Sequence, residues 1–201
     1  MPNLGRDLMF FNAEIQKLEN AIAALSKVGF SQRKLLAEIV LIRLFLLLEN
    51  SIELISCKIA CGAGYLDGTI PNLTMRHRSI DSSLAFMETH NRPPRYRARW
   101  NGSQEIRDNL TFILPPTDSF FSCIQRYASH ITEWRYIRNH IAHRNRSTRQ
   151  KFNNVVRKHY GAIKRGLTPG TLLLSPRLGS PVLVVQYLVQ AKILIKELVR
   201  A

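Results

Sequence analysis

The stretch SFFSCIQRYASHITEWRYIRNHIAHR, Ser119 to Arg144, decides the fold. Its apolar residues Phe120, Phe121, Ile124, Tyr127, Ile131, Trp134, Ile137 and Ile141 recur mostly three or four apart, the spacing that gathers them on one helical face. The pattern predicts one long amphipathic helix over residues 119–144, entered after Pro115-Pro116 and capped by Asp118 or Ser119. It closes on Arg138-Asn139-His140-Ile141-Ala142-His143. The charge around that end is one-sided. Glu133 is the last carboxylate before it and Glu197 the next after it, and residues 134–196 hold thirteen Lys and Arg with no Asp or Glu.

Working outward, the same periodicity predicts further helices. Phe10, Phe11, Ile15, Leu18, Ile22 and Leu25 mark a first helix over 4–27, broken by Gly29. A second, over 32–61, starts at a Ser31 cap and stops at Gly62 and Gly64. Between Leu35 and Leu48 it has almost no polar face, so burial on all sides is expected, by a second subunit as well as by its own core. Residues 65–78 look irregular, with a turn at Asp67-Gly68 and a block at Pro71. Short helices are expected over 79–89 and 101–114. A basic helix follows over 149–164, started by Ser147 or Thr148. Residues 166–179 read as a loop, with a minor extended piece at Leu172–Leu174, in the region 171–184. A last helix covers 181–200. The expected architecture is an all-α helical bundle, residues 1–201 forming a single domain with one long irregular insertion.

Composition narrows the function. The 201 residues include 29 Lys+Arg against 14 Asp+Glu, a net charge of +15, so an acidic partner is expected, nucleic acid being the commonest. The apolar run from Leu35 to Leu48 is interrupted by Glu38 and Arg43 and is too short to span a bilayer, which needs about 20 apolar residues. The opening MPNLGRDLMF has no signal-peptide apolar region, and three cysteines fit a reducing compartment. A cytoplasmic protein without a membrane partner is expected.

Two basic segments are candidate nucleic-acid contacts. In the loop Asn91–Trp100, Arg92, Arg95, Arg97 and Arg99 alternate with Tyr96 and Trp100, a mix that suits phosphates and stacked bases. It equally suits a solvated loop whose aromatics anchor it. Arg144, Arg146, Arg149 and Lys151 follow the long helix. No metal site is expected: Cys57, Cys61 and His77 fall short of four tetrahedral ligands. His140 and His143 do not form the HExxH pattern, and no phosphate-loop signature occurs, so no cofactor is expected.

The helix end itself holds the chemistry. Arginine is a permanent cation whose fork matches two phosphate oxygens, and histidine exchanges protons near neutral pH. Cleavage of RNA by its own 2′-hydroxyl needs a base, an acid and a cation, and no metal. On a regular helix a spacing of five turns His143 about 140° from Arg138, so the two meet only if the helix bends or a second chain supplies the opposite copy. Glu49 and Glu53, one turn apart, are the carboxylates best placed to meet an arginine. The same residues also read as an ordinary basic helix end, favourable beside free carbonyls.

The string Arg-Asn-His-Ile-Ala-His after an apolar helix resembles the signature of the HEPN superfamily: an Arg, usually followed by a polar residue, with four to six residues in all before a His. The resemblance rests on six positions. It implies a dimerising helical bundle with metal-independent endoribonuclease action that leaves a 2′,3′-cyclic phosphate, in toxin–antitoxin or antiviral defence systems. Carried over, Arg138 grips the phosphate, Asn139 orients it or the histidine, His143 is the acid/base, and His140 is accessory or structural. RNA, single-stranded or tRNA-like, is the implied substrate, and an antitoxin or effector subunit an implied partner. Asn145 stands where one branch carries a modifiable tyrosine, so that form of control is not expected. Other members are silent nucleotide- or nucleic-acid-binding subunits that regulate an effector such as a SIR2-type NADase.

Overall fold

The computed structural model describes residues 3–90, 98–176 and 180–200. Among them the fold is all-α, with no strand: α1 Leu4–Ala23, α2 Phe30–Ala60, α3 Ile80–His90, α4 Ser103–Leu110, α5 Ser119–Arg126, α6 Ala128–His143, α7 Arg146–Tyr160, α8 Pro169–Leu173 and α9 Leu183–Leu198. A 3-10 turn, Ala24–Lys27, follows α1. None of these helices is long and apolar enough to cross a membrane.

Three sequence expectations are corrected. The helix expected over 119–144 is two helices, because Tyr127 leaves helical geometry (φ −95°, ψ 5°) after Asp118 has capped α5 through the Phe120 amide. The break lets adjacent side chains converge: Arg126 Nη1 and Tyr127 Oη donate to one carboxylate, Glu197, at 2.6 and 3.2 Å. Successive residues of an unbroken helix point about 100° apart. The basic helix starts earlier than expected, at Arg146. Asn145 caps it, accepting from the Thr148 amide at 2.9 Å while Thr148 Oγ1 accepts from the Asn145 amide at 3.1 Å, a reciprocal pair that satisfies two first-turn donors. The extended piece expected near 171–184 is the short helix α8, which Thr168 caps and Pro169 begins.

The chain clusters into two compact units. The first comprises residues 1–12, 47–131 and 192–201. Lys58 Nζ spans both oxygens of Asp7 at 2.7 and 2.8 Å, and Tyr65 donates to Asp118 at 2.6 Å. Gly62, at φ 91°, ends α2 in a conformation that other residues rarely adopt. Cys57, Cys61 and Cys123 are buried, free thiols. Burial pushes Cys57 up to about 11 and Cys123 up to about 12, so both stay protonated and unreactive near neutrality.

The second unit comprises residues 13–46 and 132–191, and it carries the carboxylate-poor stretch. Its centre is Glu133, 5% exposed on α6. Two residues of α7 reach it, Lys158 at 2.6 Å and His159 at 2.5 Å, and Tyr187 of α9 donates to the same carboxylate. Trp134 lies edge-on to Tyr187, with ring centroids 5.8 Å apart. Burial of α2 on all sides is not met within the chain. Ile39 and Leu46, with Ile42 between them at helical spacing, are 40% and 45% exposed.

One carboxylate thus joins donors from two other helices, and deleting it removes a shared partner of the part-buried His159 and the buried Tyr187. Glu133→Ala is expected to destabilise the protein by about 3 kcal/mol, read as a lower urea midpoint at unchanged slope. A loss below about 1 kcal/mol, the value of an exposed pair, contradicts this account.

Candidate functional site

Beyond the Glu133 anchor, the C-terminal end of α6 divides into two faces. On one, Arg138 is half-buried, its Nη1 donating to Asn139 Oδ1 at 2.9 Å and its guanidinium lying 5.5 Å from the Phe45 ring centroid. On the other, His140 stacks on Phe152 of α7, with centroids 5.0 Å apart and planes 22° from parallel. His143, the last helical residue, is exposed. The helix does not bend before it, for the Arg144 amide still donates to the His140 carbonyl at 3.2 Å. Arg138 and His143 therefore keep the ~140° separation of a regular helix.

His140 faces a cleft of about 970 Å³. Its walls come from α2 (Lys34, Leu35, Glu38), the α6–α7 turn (Arg144), α7 (Arg149, Phe152, Asn153) and the segment Ile163–Pro169 that leads into α8. Five cations line it, Lys34, Arg144, Arg149, Lys164 and Arg165, with one carboxylate, Glu38. Rings position two of the cations: Lys34 Nζ lies 4.8 Å from the Phe30 centroid and Lys164 Nζ 4.1 Å from that of Tyr160.

The Thr148 hydroxyl favours one tautomer of His140. Nδ1 is 3.2 Å from Thr148 Oγ1, and that hydroxyl also lies 3.1 Å from the Asn145 carbonyl. With the single hydroxyl proton given to the carbonyl, Oγ1 accepts from Nδ1–H, and the lone pair falls on Nε2. Burial lowers the His140 pKa from the ordinary 6.5; Arg149 and then Arg144 lower it further, and Glu38 partly opposes them. The imidazole is neutral at pH 7.

Glu38 is unusual in this company. It is 7% exposed, and Oε1 accepts from the Gly170 amide at 2.8 Å. The nearest cation to Oε2 is Arg144 Nη2 at 3.8 Å, beyond hydrogen-bond range, and Oε2 accepts no hydrogen bond among the described residues. Gly170 is required for this approach of α8 to α2, because a Cβ there would lie 2.6 Å from the Lys34 carbonyl oxygen. Arg144 is unusual too. It is the one non-glycine residue among those described with positive φ, 42°, at the position after a helix where glycine is the common choice.

The other sequence candidates are scattered. Arg146 is exposed and lies off the cleft; Lys151 Nζ sits 5.7 Å from the Tyr136 centroid. Arg99 is exposed, whereas Trp100 is 4% exposed and offers no open stacking face. Arg92, Arg95, Tyr96 and Arg97 lie outside the described residues. Glu49 and Glu53 are half-buried and belong to the first unit. Among the described residues no group of three or more His, Cys, Asp or Glu is arranged to hold a metal ion. Sequence reasoning missed Glu38, Lys34, Lys164 and Arg165 as one constellation. The available signal was the one carboxylate within the apolar run Leu35 to Leu48.

No family model, no curated protein and no solved structure matches this chain.

Two outcomes follow from the geometry. Arg144→Gly relieves the left-handed backbone and is expected to stabilise the protein by about 1 kcal/mol; an unchanged or lower thermal midpoint contradicts this. For His140, NMR titration is expected to give a midpoint below 6.5, moving up in Arg149→Ala as a repelling charge is removed. The folded state then binds this proton less readily than the unfolded one. The stability His140 contributes is present above the unfolded midpoint of about 6.5 and is lost as pH falls through the lower folded midpoint.

Proposed function

We propose that the chain is a metal-independent endoribonuclease of the HEPN class, acting as a cytoplasmic homodimer in a toxin–antitoxin or antiviral defence system. The observation that carries the reading is the end of α6. A half-buried arginine is held by Asn139 and by the Phe45 ring, and five residues on an exposed histidine stands on the last helical position. A guanidinium fixed in place stabilises the crowded phosphate without reorganising, and an exposed imidazole reaches the sugar hydroxyl or the leaving oxygen. The 2′-oxygen attacks the adjacent phosphorus as its proton leaves to the base. The P–O bond to the next nucleoside breaks as that 5′-oxygen gains a proton, leaving a 2′,3′-cyclic phosphate.

The angular separation makes a second copy part of the machinery, so that Arg138 of one protomer works with the opposite His143. The apolar stripe Ile39, Ile42 and Leu46 on α2 suits contact with that copy. His140, neutral and with Nε2 unprotonated, suits an accessory base. The same separation favours a second reading, a catalytically silent nucleotide- or nucleic-acid-binding subunit that regulates a partner effector.

The deciding experiment is incubation of the purified chain with single-stranded RNA and tRNA in EDTA, with analysis of the new ends. Cyclic phosphate ends are expected. Arg138→Ala and His143→Ala are each expected to slow cleavage by at least ~100-fold with the helical circular dichroism unchanged. Ile39→Glu is expected to give a monomer that does not cleave. A folded wild-type dimer that leaves RNA intact overturns the nuclease reading and leaves the binding one.

A further inference from the structure

The cleft beside His140 is not the Arg138 face, and its lining is more particular than a phosphate surface requires. Five cations alone would suit any polyanion. Here they surround two exposed aliphatic side chains, Leu35 and Ile163, and one largely buried carboxylate, Glu38, whose Oε2 accepts no hydrogen bond among the described residues. Two features go beyond a phosphate surface. Leu35 and Ile163 offer apolar surface on which a flat ring can lie. The lone pairs of Oε2 are open to a donor brought into the cleft. The left-handed Arg144 is a third feature, since glycine there would remove the strain and also the cation.

One class of ligand meets all three. A nucleotide brings a flat, largely apolar base, an anionic phosphate and a hydrogen-bonding base edge. The carboxylate decides which base. Its oxygens only accept, so it is matched by an edge carrying two adjacent donors. Guanine presents N1–H beside the N2 amino group. Adenine and cytosine set a ring acceptor beside their amino group, and uracil has a single N–H between two carbonyls. An acceptor facing the carboxylate is repelled. We infer that the cleft is a guanosine-phosphate site. Glu38 reads the Watson–Crick edge of guanine, Leu35 and Ile163 cover the base, and Arg144, Arg149 and Lys164 hold the phosphate. The Gly170 amide fixes the carboxylate through Oε1, which leaves Oε2 and the second lone pair of Oε1 for the two guanine donors. The site stands apart from Arg138, Asn139 and His143. It supplies a ligand for the binding reading and does not depend on the nuclease one.

The test is calorimetric titration of the full chain, in EDTA, with GMP, AMP, CMP, UMP and unphosphorylated guanosine. A short single-stranded RNA containing one guanosine is compared with the same strand containing adenosine. GMP is expected to bind at least about tenfold tighter than AMP and tighter than guanosine. Glu38→Gln keeps an oxygen for the Gly170 amide, so the fold survives, but it replaces one acceptor by a donor. It is expected to erase the preference for GMP over AMP. Arg144→Gly is expected to weaken GMP about tenfold although the protein is more stable, which separates lost contact from lost fold. Tighter binding of the guanosine strand than of GMP identifies the natural source as RNA; the reverse identifies free nucleotide. Equal binding of all four monophosphates, indifferent to Glu38→Gln, overturns the base assignment and leaves a phosphate cradle. No binding of any nucleotide overturns the site. RNA cleavage measured on the same samples keeps the readings apart: cleavage without GMP binding defeats only this proposal, and GMP binding without cleavage defeats only the nuclease.

Discussion

The carboxylate of Glu133 is the one acidic group at the centre of the second unit, and the local arrangement hangs from it. Lys158 and His159 on α7 and Tyr187 on α9 all turn inward to it. A buried carboxylate is costly unless it is hydrogen-bonded, and three donors reach this one. The arrangement fixes α7 against α6 one helix length after the α6–α7 turn. The position of His140 on Phe152 follows from that anchoring rather than from any property of the turn itself.

The consequence for charge is direct. Glu133 is used up inside, and residues 134–196 supply no other acid. Within the second unit the remaining carboxylate close to the basic surface is Glu38, from a distant part of the chain, and it is mostly turned to a backbone amide. The cations around the cleft have therefore no internal counter-charge of comparable strength. At physiological salt their mutual repulsion fades over about 8 Å, which the fold tolerates. Burial first, and then the same imbalance, lowers the affinity of His140 for a proton, so the cations that invite an anion help keep the imidazole in its basic form.

Much of the helix succession was legible from apolar spacing, because residues such as Ile124, Ile131, Trp134 and Ile137 are buried as that spacing requires. What spacing did not reveal was set by polar tertiary partners. Tyr127 sits in phase with the apolar face, so the break there is invisible until Glu197 is known to hold both it and Arg126. Asn145 caps α7, with Thr148 three residues on completing a reciprocal pair, a signal present in the sequence but weaker there than Ser147 or Thr148 as a helix start. Leu172–Leu174 looked extended because the run is short and apolar; Thr168 and Pro169 were the better signal. The two faces of the α6 end were legible as angles. That the His140 face, not the Arg138 face, opens on a cleft was not, since it depends on Lys34, Glu38 and Lys164, far apart in sequence.

Arg144 joins these arguments. A residue held at positive φ without being glycine persists only where the surroundings over-determine it. Here the α6–α7 turn is determined from both sides, by the last α6 carbonyls and by the Asn145 cap. Those constraints would be met as well by glycine, which relaxes the backbone at no loss to either helix. Stability alone therefore does not explain an arginine at 144. Its side chain is 74% exposed and 3.8 Å from Glu38, too loose for a structural ion pair. What glycine cannot provide is a cation at the mouth of the cleft, and that makes the strain itself an argument that the cleft is used.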